Sequence, residues 1–286
     1  MPKISVIMPT CNRPDLLPGA INSVLNQTYG DWELLIIDDG DKVAAEEKAK
    51  SFNDARIRYI KHAERRGGAA ARNTGIKSAQ GEFIAFLDDD DEWLPEKLEI
   101  QMKEFEKTSP EIGFCFSASQ SVYDGGRKVI SHVPEGIGNY HELVLRRFNG
   151  FLTITLIIKK FVFEECGYFD EALPSHQEPD LIIRISKKFK GLGIDTPLSI
   201  LNLTEHEHIG GSLDRRIKGR QMILDKYPNE YKERPDVLAM HYFQIALWRR
   251  DSRQFAKARL YFKKAWQTKF RFNYFLHFII MVFKFN

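Results

Sequence analysis

The sequence predicts an α/β fold on a mostly parallel sheet, and two features predict it. Short apolar runs, "KISVIM" (3–8), "ELLII" (33–37), "RIRYI" (56–60) and "FIAFL" (83–87), alternate with segments of helical spacing. Three of these runs end in polar groups, "PTCNR", "DDGD" and "DDDD". Ligands of such sheets bind beyond the carboxyl ends of the strands, so the three ends are expected to converge on one crevice.

The elements follow in order. After the first strand, Leu17, Ala20, Ile21, Val24 and Leu25 share a helical face, and Pro14 fits a first turn. A polar helix is expected over 44–52 and another over 68–79, where small residues from Gly67 to Ala71 permit close approach. Pro95 opens a helix with Leu98, Met102 and Phe105 on one face. Beyond Ile112, "GFCFSAS" and "TITLIIKK" (153–160) read as strands and "GYFDEAL" as a turn packed by aromatics. "HQEPDLIIRISKK" sets two carboxylates before an apolar helical face, and after Gly211 the chain reads as helix-rich.

An apolar content of 43% and a charged content of 28% exclude a disordered chain. Cys11, Cys115 and Cys166 lie far apart without metal-ligand spacing, which suits a reducing compartment. The first residues hold no long apolar stretch with a cleavage site, so no secretory signal is expected. The net charge of +3 conceals an asymmetry: from Ala246 onward ten Lys and Arg face one acid, while the preceding 245 residues carry −6. Body and tail are expected to have different partners.

Four segments carry candidate chemistry. In "FLDDDDEWL" the carboxylates of Asp88 to Asp91 can serve a hard divalent cation and a ribose, or form an acidic turn capping the helix at Pro95. "RRGGAAARNTGI" (65–76) is no phosphate loop, since no lysine-hydroxyl pair follows; Arg65, Arg66 and Arg72 can balance phosphate or the aspartates, or simply lie on a close-packed helix. Glu178 and Asp180 sit at a helix edge, as a proton acceptor or as acids favoured by the helix start. His206 and His208, two apart in "EHEH", can reach a metal or a phosphate but are incomplete as a site by themselves.

In this order the pieces resemble the inverting nucleotide-sugar glycosyltransferases of family 2, with the GT-A fold. The matching residues are "SVIMPTCNRPDLLPGAINSVLNQTYGDWELLIIDDG", "GGAAARNTGIKSAQGEFIAFLDDDDEWLPEKLE" and "GYFDEALPSHQEPDLIIRI". The resemblance implies a Rossmann-like, mostly parallel sheet flanked by helices. It implies a catalytic domain over 1–215, with a nucleotide-sugar-binding half at 1–110 and an acceptor-binding half at 111–215. A basic helical extension over 216–286 completes the chain. Carried over by position, Pro9, Thr10 and Arg13 line the nucleotide pocket, Asp38 with Asp39 contacts the base, and Arg66 or Arg72 lies beside the nucleotide. Asp88 and Asp90 match the Asp-x-Asp signature: Asp88 faces the ribose and Asp90 a Mn²⁺ or Mg²⁺ on the diphosphate, with Asp89 between them, which leaves Asp91 to support the helix starting near Pro95. Glu178 matches the general base, Asp180 is the second acid of that motif, and His208, in preference to His206, closes over the diphosphate and its metal. Two departures stand out, Asp41 where a small hydroxyl residue is usual and Pro179 directly after the base.

The implied reaction moves a sugar, UDP-linked by family habit, to a glycan or lipid-linked acceptor in bacterial surface polysaccharide assembly. The alternative is a nucleotide-sugar-binding protein without catalysis. Residues 237–268 read as two helices around "RRDSRQF", and "FRFNYFLHFIIMVFKFN" is too short in its apolar core to span a bilayer. With the bases upstream it suits an anionic membrane surface through 246–286, against packing on the body or a dimer contact. The expected location is cytoplasmic and peripheral on the inner membrane face. No recognised nucleic-acid module is present.

Overall fold

The computed structural model describes residues 1–42, 45–203 and 212–284, with the side chains of 283 and 284 outside that description. Strands β1 (Ile4–Thr10), β2 (Trp32–Asp38), β3 (Ile57–Lys61) and β4 (Phe83–Phe86) are mutually parallel neighbours in the order β3-β2-β1-β4. Along the chain follow β5 (Glu92–Trp93), β6 (Ile112–Tyr123), β7 (Lys128–Ser131), β8 (Gly136–Gly138), β9 (Ile157–Lys159) and β10 (Lys190–Leu203). The sheet runs β3-β2-β1-β4-β9-β6-β10-β5, with β7 paired to β6 and β8 to β10. β9 is antiparallel to β4 and β6, whereas β6 and β10 are parallel. Every residue of β1 and β2 is buried, which explains why apolar residues dominate them and why buried Ser5 donates to Glu33 across the pair at 2.6 Å.

The helices between the first strands are α1 (Leu17–Leu25), α2 (Glu46–Lys50), α3 (Gly68–Ser78) and α4 (Lys97–Phe105). α1 starts later than expected: Pro14 lies in the preceding turn, and Pro18 occupies the first helical turn. A proline is harmless there because the first amide groups have no partner within the helix. α3 is set by two glycines. Gly67 before it has φ +96, and a Cβ on Gly75 would stand 2.4 Å from Ile7 Cγ2, so the helix lies close against β1. The strand expected over 153–160 shortens to β9. Residues Thr153–Thr155 form a single 3₁₀ turn, and the Ile154 carbonyl accepts from Trp93 Nε1 and Ser199 Oγ, both at 2.9 Å.

Further on come α5 (His141–Arg146), α6 (Phe161–Cys166), α7 (Gln177–Ser186), α8 (Leu213–Lys226), α9 (Pro228–Lys232), α10 (Pro235–Asp251), α11 (Phe255–Thr268) and α12 (Phe272–Lys284). The chain divides into two compact units, Met1–Glu171 with Gln177–His206, and Ala172–His176 with Glu207–Asn286. The first holds the sheet, with Val6, Met8, Leu34, Ile36, Leu98 and Phe105 in its core. In the second, α10 and α11 form the expected hairpin, turning at Arg253 with φ 58. Ala246, Ala258, Phe262 and Met281 form one core cluster there, and Ala239, Ala265 and Tyr274 another. Among the described residues no helix is long and apolar enough to cross a membrane.

One core residue breaks the apolar rule. Lys97 is fully buried, donates to Gln101 Oε1, and lies 4.5 Å from the centre of the Trp93 ring. Burial pulls its ammonium down to about 7. The unfolded chain keeps that proton up to the ordinary 10.5, so it binds more protons than the folded chain between the two values. Stability from this group is therefore lowest below about pH 7 and rises with pH, by at most about 1.4 kcal/mol per pH unit. Denaturant titrations from neutral to mildly alkaline pH should show this slope, and Lys97→Met should remove most of it. An equal slope in both proteins would contradict the assignment.

Candidate active site

Because β1, β2 and β4 are parallel, their carboxyl ends lie on one edge of the sheet, and Thr10 pairs with Asp38 in the register of β1 and β2. The four aspartates after β4 are not equivalent. Asp88 accepts from Arg72 Nη2 at 2.6 Å, and Asp90 from Arg13 Nη1 at 2.9 Å. Asp89 is buried; it accepts from Thr10 Oγ1 at 2.7 Å and from Arg13 Nη2. Burial pushes its carboxyl up to about 7, which Arg13 and Thr10 only partly offset. Asp91 is buried too and accepts from the Asn202 amide at 2.9 Å; burial and its acidic neighbours hold it well above the carboxylate range. The expectation that Asp91 supports the helix after Pro95 is corrected by this bond, which ties it to β10.

Arg13 bridges Asp89 and Asp90. Burial opposes its charge, but these neighbours keep its guanidinium above the usual value. Arg72 is buried in α3, yet Asp88 and Glu178 outweigh that burial and likewise hold it above the usual value. Its Nη1 also donates to Gln177 Oε1 at 3.4 Å. Arg72 thus connects the aspartate run with the start of α7. Arg66 is exposed and reaches Glu171 Oε2 at 3.4 Å.

The aspartates at the end of β2 are engaged with β3 and the loops around it. Asp38 is fully buried and accepts from Tyr59 Oη at 2.5 Å, Gly40 N at 2.8 Å and Ala45 N at 3.1 Å, with Lys61 Nζ at 3.1 Å. Burial raises its carboxyl, and these donors bring it below the usual range. Asp39 accepts from Arg66 N at 2.7 Å and Gly67 N at 2.6 Å, and meets His62 Nδ1 at 2.8 Å. It fixes the entry to α3. Asp41 is exposed and takes a 2.8 Å bond from Asn12 Nδ2. Pro9 is buried within β1.

Glu178 is half-buried in the first turn of α7, and its Oε1 accepts from Thr153 Oγ1 at 2.8 Å. Pro179 stands in the same turn, where its missing amide hydrogen removes no helical bond. Asp180 is fully buried and accepts from Arg184 Nε at 3.1 Å, while Arg184 Nη2 donates to the Tyr168 carbonyl at 2.6 Å. His206 and His208 lie outside the described residues. Sequence reasoning missed Thr153, Asn202 and His62. Only His62 carried a signal, its place directly after a strand that ends at the same edge.

Asp88 and Asp90 offer hard oxygen donors two residues apart. Among the described residues no group of three or more His, Cys, Asp or Glu is arranged to hold a metal. That partial donor set fits Mg²⁺ or Mn²⁺, which keep water and substrate phosphate oxygens as ligands, rather than a structural metal enclosed by protein.

Residues 5–173 match the family described as Glycosyl transferase family 2, and the chain belongs to that family. It is 37% identical over 153 residues to the Escherichia coli UDP-Glc:alpha-D-GlcNAc-diphosphoundecaprenol beta-1,3-glucosyltransferase WfgD, covering 54% of this chain and 59% of that protein. The match thus spans less than two thirds of that relative's length. Among solved structures, S. aureus TarS 1–349 in complex with UDP-GlcNAc is similar with a TM-score of 0.65 at 18% identity, over 98% of this chain and 79% of that one. The Pyrobaculum calidifontis mannosyltransferase PcManGT in complex with GDP-Man and Mn²⁺ gives 0.56 at 16% identity, over 93% and 74%. The fold is that of these GT-A proteins, a mixed α/β domain with a mostly parallel sheet and C-terminal helices.

The Asp39 contacts give a direct test of how the α3 entry is held. Asp39→Asn keeps the shape but leaves one acceptor oxygen for three donors, and should cost about 1–3 kcal/mol in a denaturant titration. Unchanged stability would show that these bonds do not hold the loop.

Proposed function

We propose that this chain transfers a sugar from a nucleoside-diphosphate sugar, UDP-linked, to an acceptor hydroxyl with inversion at the anomeric carbon. The observation that carries the reading is the joining of the strand-end aspartates to the start of α7 through one buried arginine, Arg72, which donates to Asp88 and Gln177 and feels the charge of Glu178. A catalytic domain over 1–215 followed by a basic helical extension is part of the same reading.

Glu178 serves as general base. Thr153 holds one of its oxygens, and the carboxylate takes the proton of the acceptor hydroxyl. The acceptor oxygen forms its bond to the anomeric carbon from the face opposite the diphosphate. The bond from that carbon to the diphosphate oxygen breaks, and its electron pair leaves with the nucleotide. Asp180 positions the helix start through Arg184. Asp88 on the ribose side and Asp90 on the diphosphate side would hold Mn²⁺ or Mg²⁺, which supplies Lewis-acid charge to the leaving group. Thr10 and Arg13 order the aspartates from the β1 side.

The name of WfgD supports a UDP-sugar donor and an acceptor of lipid-linked diphosphate type, and hence a place in bacterial polysaccharide assembly. The UDP-GlcNAc bound to TarS supports the same donor class. Neither departure from the family pattern favours a protein that binds without turnover: Asp41 is paired with Asn12, and Pro179 fits its helical turn.

Glu178→Gln keeps the Thr153 contact and removes the base. Turnover of UDP-sugar with a lipid-diphosphate glycan acceptor should fall at least about a hundredfold while donor binding persists. Near-normal turnover would remove Glu178 from this role.

A further inference from the structure

We propose that the second unit carries a docking face for an anionic lipid bilayer, built from α12, the connection before it and α11. This surface is independent of the transfer chemistry and stands on two observations. The first is the two-sided apolar character of α12. Its inner side packs in the unit: Tyr274 stacks on Phe243 at 4.5 Å, His277 on Phe262 at 5.3 Å, and Met281 is buried. Phe272, Phe275, Leu276 and Ile280 recur at positions i, i+3, i+4 and i+8, and their exposures of 70%, 36%, 44% and 43% place them on an outer face. A soluble surface seldom leaves four large apolar side chains on one helical face.

The second observation is charge. Residues 252–286 contain eight Lys and Arg and no Asp or Glu. Exposed Lys269 and Arg271 flank exposed Phe270 in the connection from α11 to α12, and exposed Phe272 follows as the first residue of α12. Trp266 of α11 meets Phe275 at 5.8 Å, and exposed Lys263 lies one turn before Trp266. Apolar side chains thus stand among cations with no acid nearby in sequence. That combination complements acyl chains below a layer of anionic headgroups. At 13 residues α12 extends about 20 Å, too short to cross a hydrocarbon core of about 30 Å, so it lies in the surface plane. A second copy of the same face would bring like charges together, which disfavours self-association as the occupant.

Co-sedimentation of the full chain with vesicles of phosphatidylcholine, with and without phosphatidylglycerol, tests the proposal. Binding should require the anionic lipid and weaken as salt is raised. The triple variant Phe272→Ser, Leu276→Ser, Ile280→Ser should bind roughly tenfold or more weakly. Lys263→Glu with Lys269→Glu, which leaves the apolar face intact, should reduce binding to the anionic vesicles in the same assay. Far-UV circular dichroism of each variant should match the parent, and the charge variant keeps the test open if the triple variant unfolds. Absence of vesicle binding by the parent, or equal binding to neutral vesicles, overturns the proposal. So does a dimer in sedimentation velocity that the triple substitution dissociates in the absence of vesicle binding.

Discussion

The structure depends on the placing of four consecutive carboxylates at the end of a buried strand. Such a run is stable only when its charge is met or its protons retained. Both solutions are present. Arg13 and Arg72 meet Asp88, Asp89 and Asp90, while burial keeps Asp91 toward its protonated form and Asp89 near 7. Each partner comes from a different part of the fold. Arg13 belongs to the loop after β1, Arg72 to α3 and Asn202 to β10, so satisfying the aspartates also fixes three elements around one edge.

This arrangement explains features that look unrelated. Gly75 lets α3 lie against Ile7, and Asp39 gathers the amides at its entry. Both help set the position from which Arg72 reaches Asp88. The same arginine donates to Gln177, one residue before Glu178, so a donor-side feature and the proposed base share a support. Removing Arg72 would leave Asp88 without its cation and loosen α7 from the aspartate run.

Much of this was legible in the sequence because parallel strands announce themselves. The first four strands were legible as short runs between helical segments, and the polar ends of three of them, β1, β2 and β4, fall on one edge as expected. β10 was not legible. Its "KGLGIDTPLSILNL" contains Gly191, Gly193 and Pro197, residues that interrupt a strand pattern. In the fold a Cβ on Gly191 would stand 2.4 Å from Phe114 Cζ, and one on Gly193 1.9 Å from the Pro134 carbonyl oxygen. Register shifts between Ile194 and Ser199 let the strand pass Pro197. With β10 unseen, Asn202 and the true partner of Asp91 were unseen too. Thr153 was hidden for another reason: its residue type is common, and only tertiary folding brings it to Glu178.

The central claim is that the strand-end aspartates and their arginines form a site for a nucleoside-diphosphate sugar with a divalent cation. Thermal unfolding with UDP-sugars, with and without Mn²⁺, tests it most directly, because a ligand that binds only the folded chain must stabilise it. At a hundredfold excess over Kd the gain is about 2.7 kcal/mol, a shift of several degrees. The account predicts that a UDP-sugar raises the midpoint, that Mn²⁺ enlarges the rise, and that Asp90→Asn removes the enlargement. No shift with any nucleotide sugar, with or without the metal, would contradict it.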